Sequence, residues 1–488
     1  MMVELGFLLA FALIGRLLIS SGENPGDPSG VVTGGAVYAA VVATTIALGV
    51  PLRPTAAAVG ALTLAAALAV DRASRLVPPV RSWRTGWSRS WFLATGSVLG
   101  IAAVVSPLRL VRAGGDSASY LRLGASIAEG SLRVAGVPEK RGVAFPALEA
   151  IGFVSGDVVA VGLLPAFGAA GLMSVYEIVR VHGYREVRNG TNGVVRWAAL
   201  VASALVLTNP QFLVHVVRIG PHLVVAFWLL VLAAVTADLS SVSGVRRNLV
   251  VFSLAMALAS ARPEGAILIA LVMAPSIASV ADDVRVRSHD LRFTGLAIVL
   301  WQVSHRSDGF ERLPGAEGLA LIALGGSLML LSTSGMLRRV RRLPVVGLGL
   351  AGAWLAFVAA FALDPGLMAR SLIATTANVA LDVGGWGVGL LLLSVIALLA
   401  RLAVGGRFPL QSGLLLGAFL PVHLVIVFLT GNSYRIGQSD SLNRMLFHLV
   451  PTLVVATTVA TLRGVTEPRE SESTPADVER TGGDIDDA

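Results

Sequence analysis

Apolar runs of about 17–22 residues recur along nearly the whole 488-residue chain, each long enough to cross roughly 30 Å of hydrocarbon as a helix. In lipid every backbone polar group must be bonded internally, and continuous apolar runs of this length meet that demand as α-helices. The chain therefore reads as an all-α, polytopic membrane protein. Spans are expected near 3–19, 31–50, 54–70, 91–108, 158–180, 195–214, 220–237, 315–334, 344–363, 385–402, 409–429 and 445–462. Shorter or interrupted ones lie near 248–261, 264–281 and 291–303, for a total of roughly 13–15. Residues 2–19 read as a retained span, because Met1-Met2-Val3-Glu4 lacks a basic n-region and Ser20-Ser21-Gly22-Glu23 is a poor cleavage site.

With 55% hydrophobic residues and a mean hydropathy of +0.77, the chain has few places for polar chemistry. There is no cysteine, so disulfides, thiolate metal sites and thiol nucleophiles are excluded. Lys140 is the only lysine, so the basic charge behind the formal net charge of +8 is almost all arginine. That balance belongs to membrane topology, and no nucleic-acid module, zinc signature or phosphate loop is present.

Arginine placement sets orientation, because short cytoplasmic loops carry excess positive charge. Four segments qualify: Arg72 to Arg89, Arg180 to Arg196, Arg285 to Arg292, and Arg338-Arg339-Val340-Arg341-Arg342. Alternation of spans then collects 109–145, 215–222, the Arg262-Pro263-Glu264-Gly265 turn, 304–314, 364–384 and 430–444 on the opposite, external face. The acidic stretch from Thr466 onward has no apolar run and is expected to be a disordered cytoplasmic tail.

The loop at 109–145 is the long charged one on that external face. From Ser117 to Glu129 the residues Tyr120, Leu123 or Gly124, and Ile127 recur at helical spacing, with Arg122, Ser126 and Glu129 off the stripe and Gly130 at the end. This predicts an amphipathic helix in the membrane interface, its apolar side toward the acyl chains. Asp116 opens the helix. As an N-cap it needs no further reason to exist, and as a carboxylate at the membrane surface it is a candidate functional group; both readings stand. Arg109, Arg112, Arg122, Arg133, Lys140 and Arg141 flank it, and cations there suit a phosphate headgroup or, for any single one, lipid phosphates in general.

Asp116-Ser117-Ala118-Ser119-Tyr120-Leu121, then Ala125 to Gly130 and Phe145-Pro146-Ala147-Leu148, resemble the first external loop of GT-C type membrane glycosyltransferases. That superfamily includes protein mannosyltransferases and lipid A aminoarabinose transferases. Later features follow in similar order: Val175-Tyr176-Glu177-Ile178-Val179-Arg180, Asn209-Pro210 and Arg262-Pro263-Glu264-Gly265. The resemblance covers roughly 91–280 well and the rest as a helix count. It divides the chain into additional N-terminal transmembrane helices at 1–90, a GT-C-like core at 91–465 and the tail at 466–488. Ser117 stands where many members carry a second acid, which weakens any divalent-metal site carried over, and no cofactor is expected. A single Pro146 stands where many have a Pro-Pro pair.

The resemblance implies an enzyme of the cell envelope, multi-pass in the cell membrane with its active face external. It would transfer a sugar from a polyprenyl- or dolichyl-phosphate donor to a glycan, lipid or protein acceptor, with inversion. Asp116 is then the catalytic base, and Tyr120, Arg262, Glu264 and Arg435 bind substrate, the two arginines taking the donor phosphate. The Arg262 turn also reads as a helix stop with a local ion pair. Arg435 and Arg444, flanking a polar loop before the last span, also read as solvated charges. His215, His222, His423 and His448 lie at or within span ends and read as packing rather than ligands. A transporter or flippase for a lipid-linked saccharide is the alternative function; it predicts internal repeats and discontinuous helices, and no repeat is visible.

Overall fold

The computed structural model describes residues 2–19, 29–69, 116–138, 141–157, 160, 162–186, 192–237, 244–278, 284–306, 316–333, 345–386, 410–431, 433–437 and 441–466, with a few isolated positions besides. The arginine-rich stretches at 72–89 and 338–342, the expected span at 91–108, most of that at 385–402, loop residues 109–115, Glu139, Lys140 and the tail from 467 lie outside them. The protein is all-α and polytopic, with seventeen α-helices and no strand among the described residues.

In chain order the helices are α1 (Met2–Ile19), α2 (Ser29–Ala47), α3 (Pro54–Ala69), α4 (Asp116–Glu129), α5 (Ala144–Val154), α6 (Leu163–Glu186), α7 (Asn192–Leu207), α8 (Pro210–Val217) and α9 (His222–Thr236). They continue with α10 (Gly244–Ala261), α11 (Gly265–Ala278), α12 (Val284–Arg306), α13 (Ala316–Leu331), α14 (Val345–Leu363), α15 (Pro365–Val379), α16 (Leu410–Thr430) and α17 (Ser441–Thr466). Four described stretches, within α1, α2, α6 and α17, are long and apolar enough to cross a membrane; seven shorter apolar helices accompany them. Where the sequence predicts a continuous span at 195–214, the chain bends by 63° between α7 and α8. The reason is local: Pro210 opens α8, and the Asn209 side chain accepts from the Gln211 N–H at 2.9 Å, capping a new helix.

Hydrophobicity alone does not say which helices meet lipid, and the packing does. Every residue of α9 is buried, as expected of a helix apolar on all sides. By contrast α14 exposes Leu348, Trp354, Leu355, Val358 and Leu363, the surface of a helix solvated by acyl chains. The N-terminal helices share the central core: α2 buries Val32, Ala36, Val37, Tyr38, Val42 and Ala43. Its Tyr38 hydroxyl donates to the Ala147 carbonyl at 2.9 Å, and the Trp228 indole N–H donates to the Val32 carbonyl at 3.1 Å.

At one end of the bundle, α10 and α12 are joined by Arg247, whose Nε and Nη2 donate to the two oxygens of Asp290 at 2.9 and 2.7 Å. At the other end converge the start of α4, the 141–143 segment, the α8–α9 connection, the Arg262 turn and the start of α17. That end holds the candidate site.

Candidate functional site

Helix α4 forms where the spacing predicts, and Ser117, Tyr120, Leu123, Gly124 and Ile127 are its buried face. The sequence reading turns that face toward acyl chains. Instead it packs along α5, with Tyr120 edge-on to Phe145 at 5.4 Å between ring centroids. An apolar stripe does not distinguish lipid from protein as its partner. The Ser117 hydroxyl donates to the Ile219 carbonyl at 3.0 Å, which ties the head of α4 to the α8–α9 connection. The helix ends at Gly130, whose φ of +71° suits a residue without a side chain.

This anchoring presents Asp116 at the head of α4 with 45% of its side chain exposed. Arg141 Nη2 donates to its Oδ1, and Arg444 Nη1 lies 3.6 Å from its Oδ2. The Arg141 guanidinium carbon also stands 5.4 Å from the centre of the Tyr120 ring, within cation–π range. Burial pushes the Tyr120 phenol above its ordinary range, against the pull of Arg262 and Arg141, so Tyr120 stays a neutral phenol at neutral pH.

Arg141 is held by close backbone contact. The next residue, Gly142, lies against the C-terminal end of α10: a Cβ there would fall 2.0 Å from the Ser260 carbonyl oxygen. That carbonyl also accepts the Val143 N–H at 2.7 Å. The same end of α10 leads into Arg262-Pro263-Glu264-Gly265, so Arg141 and Arg262 are brought together by one docking contact. Gly265 lets the chain reverse tightly, since a Cβ on it would fall 2.0 Å from the Leu258 carbonyl oxygen.

Within the turn, Arg262 Nε lies 2.8 Å from Glu264 Oε1, both side chains about six-sevenths covered at 15% and 13% exposure. Burial pulls the Arg262 guanidinium down, but Glu264, Tyr120 and Asp116 outweigh it and hold it above its ordinary value. Arg262 is therefore a permanent cation. On its other side Arg262 Nη1 lies 3.3 Å from His222 Nε2, and His222 Nδ1 lies 2.9 Å from His448 Nε2. The His222 ring stacks on His448 at 5.1 Å and tilts against His215 at 5.0 Å, while His215 packs on Phe447 at 4.9 Å. Residues read singly in sequence as packing histidines thus form one buried cluster beneath the arginines.

The structure brings Asp116, Tyr120, Arg262 and Glu264 into one neighbourhood and adds Arg141, Arg444, His222 and His448. Arg435 is placed differently. It is exposed, and its carbonyl accepts from Asn378 Nδ2 at 2.8 Å in a network that anchors the chain before α17. Gly437 N–H donates to Asn378 Oδ1 at 2.7 Å, Asn443 Nδ2 to the Gly437 carbonyl at 2.9 Å, and Trp386 Nε1–H to Asn443 Oδ1 at 2.8 Å. These bonds fix Asn443, and with it the neighbouring Arg444. Among the described residues no group of three or more His, Asp or Glu is arranged to hold a metal ion.

Chemically the arrangement is one part-exposed carboxylate beside three guanidinium groups, with Glu264 balancing one of them. It can accept a proton from a group arriving at Asp116 and bind an anion between Arg141, Arg262 and Arg444.

No protein family matches the chain in sequence, and no curated protein does. Among solved structures it is similar to the Archaeoglobus fulgidus oligosaccharyltransferase in its apo form, with 18% identity, 75% of this chain and 50% of that one covered, and a TM-score of 0.42. The chain spans about half the length of that protein. A likeness of this strength specifies neither the activity nor the substrate.

Proposed function

We propose that the protein is a membrane glycosyltransferase of the GT-C type that transfers a sugar from a polyprenyl- or dolichyl-phosphate donor to an acceptor on the external face. The observation that supports this reading is the pairing of Asp116 with Arg141 and Arg444 beside the Arg262–Glu264 turn. Transfer from a lipid phosphate releases an anion and needs no strong general acid. It needs a base at the acceptor hydroxyl and fixed positive charge at the departing phosphate.

In this mechanism Asp116 takes the acceptor proton as the acceptor oxygen attacks the anomeric carbon. Its exposed side is the approach for the acceptor, and a single displacement inverts the anomeric centre. The bond to the phosphate oxygen breaks with its electron pair, and the phosphate leaves as an anion held by Arg262 and Arg444. General-base assistance of this kind contributes about 10²–10⁴-fold, and preorganised cations near developing charge add about 10²–10³-fold for each well-placed donor. Tyr120, kept protonated, offers a phenolic donor and an aromatic face.

The test is transfer of labelled sugar from polyprenyl-phosphate donors by the purified full chain. Acceptor-dependent product that disappears in Asp116→Asn supports the reading. Donor binding without turnover on any glycan, lipid or protein acceptor overturns it.

One observation favours the second reading, a transporter or flippase of lipid-linked saccharides. The broken pair α7–α8 places Gln211 and His215 on a half-helix, the device by which transporters expose backbone and polar groups to cargo. Movement of a fluorescent lipid-linked saccharide across sealed proteoliposomes, without sugar transfer, would establish it.

A further inference from the structure

The contacts of Arg262 fix the proton positions of two histidines. A guanidinium has donors and no acceptor, so at 3.3 Å Arg262 Nη1 donates to His222 Nε2. His222 then carries its proton on Nδ1 and donates it to His448 Nε2 at 2.9 Å. His448 in turn carries its own proton on Nδ1. Both rings are neutral in this chain of donors, and both are almost fully buried, at 2% and 0% exposure.

The chain of donors ends at His448 Nδ1, a buried atom with no hydrogen-bond partner among the described residues, beside the second cation of the site only in sequence. His448 lies one helical turn after Arg444 on α17, so the path from Arg262 through His222 and His448 ends on the helix that carries Arg444 to Asp116. Arg262 has Glu264 on one side, 2.8 Å from its Nε. Without an acceptor on the other side its outer nitrogens could turn toward Glu264 or Asp116 and be neutralised. A neutral imidazole is suited to this place: it accepts from the guanidinium and adds no second negative charge to that of Glu264.

We propose that His222 and His448 are positioning residues: they hold Arg262 as an oriented cation at the place where the phosphate of the lipid donor binds. This rests on the reading of the site as one for a lipid phosphate.

Binding of undecaprenyl phosphate, a polyprenyl monophosphate without sugar, to the purified full chain tests it without requiring turnover. His222→Phe and His448→Phe keep ring size and remove the hydrogen bonds. His222→Phe is expected to weaken binding about tenfold, the equivalent of one hydrogen bond to a charged group, and His448→Phe about threefold, since it removes a bond between two neutral rings. Gln at either position offers both an amide donor and a carbonyl acceptor, and should restore most of the affinity. In an Arg262→Gln background, His222→Phe should cause no further loss, because the residue acts through Arg262.

Wild-type affinity in the Phe variants overturns the positioning role. So does a loss that Gln fails to restore, or one that adds in full to that of Arg262→Gln; either marks the histidines as packing residues. His448→Phe removes only the far end of the chain and still reads a smaller loss if His222→Phe does not fold. Absence of binding by the wild-type protein overturns the lipid-phosphate reading itself, and the inference with it.

Discussion

Arg444 Nη1 lies 3.6 Å from Asp116 Oδ2, a pairing between the head of the short amphipathic helix α4 and the start of α17. The distance is that of an ion pair and too long for a hydrogen bond. It makes Arg444, rather than the exposed Arg435 nine residues earlier in the chain, the cation that faces the carboxylate.

This ordering is testable. Arg444→Gln is expected to weaken binding of a polyprenyl phosphate by about tenfold or more, the loss of one charge-assisted contact. Arg435→Gln should stay within about twofold, as an exposed charge contributes little. Donor affinity measured on both purified variants checks it; equal losses would remove the distinction between the two arginines.

The approach of the 141–143 segment to α10 is the packing on which the site depends. Gly142→Ala would drive a Cβ to 2.0 Å from the Ser260 carbonyl oxygen and 2.5 Å from the Ala261 carbonyl carbon, backbone atoms that cannot move aside independently. Overpacking of this kind costs about 1–3 kcal/mol. Gly136→Ala, whose nearest neighbour would be the tip of Leu132 at 3.5 Å, is the control. Thermal unfolding in detergent should show a lower midpoint for the first variant and an unchanged one for the second, with donor affinity falling in the first because Arg141 is displaced.

Away from the site, Arg247 and Asp290 form a two-bonded pair with 6% and 0% of their side chains exposed. Removing one partner takes two hydrogen bonds and an opposite charge from the buried group left behind, and breaking a buried pair in this way costs about 3–5 kcal/mol. Asp290→Ala should therefore lower the unfolding midpoint markedly, and Arg247→Met combined with Asp290→Leu should recover most of it. A single variant as stable as the parent would show that the pair is dispensable to the α10–α12 packing.

The parts of this fold legible in sequence are those set by local pattern. Most helices fall within a few residues of the apolar runs, and the buried face of α4 is the Tyr120, Leu123 or Gly124, Ile127 stripe. The Arg262–Glu264 pair is two residues apart and readable as a local contact. The break at Asn209-Pro210 was present as a capping signal but masked by the apolar residues on either side of it. What sequence pattern could not supply was which distant residues meet. The His222–His448 contact joins α9 to α17, and nothing in the neighbourhood of either histidine marks it. Arg435 and Arg444 are equivalent in a linear reading; only the hydrogen bonds of Asn378 and Asn443 separate them in space.

The role of Asp116 is decided by a substitution that preserves its place at the helix head. Asn caps a helix about as well as Asp, so Asp116→Asn should keep α4 formed and Tyr120 buried. The lost attraction to Arg141 and Arg444 should cost little in stability, because nearly half of the carboxylate side chain is exposed. An amide cannot take the acceptor proton, so turnover of sugar from a polyprenyl-phosphate donor should fall by about 10²–10⁴ while the unfolding midpoint hardly moves. Donor affinity should hold or rise slightly, since the arginines lose a competing carboxylate. Near-normal turnover would reduce Asp116 to a helix cap and move the search to Glu264, Glu129 and Glu139. Of the first two, Glu264 is already paired with Arg262, so taking the proton would weaken that pair, and Glu129 is exposed at the far end of α4, where an acceptor would stand away from the arginines.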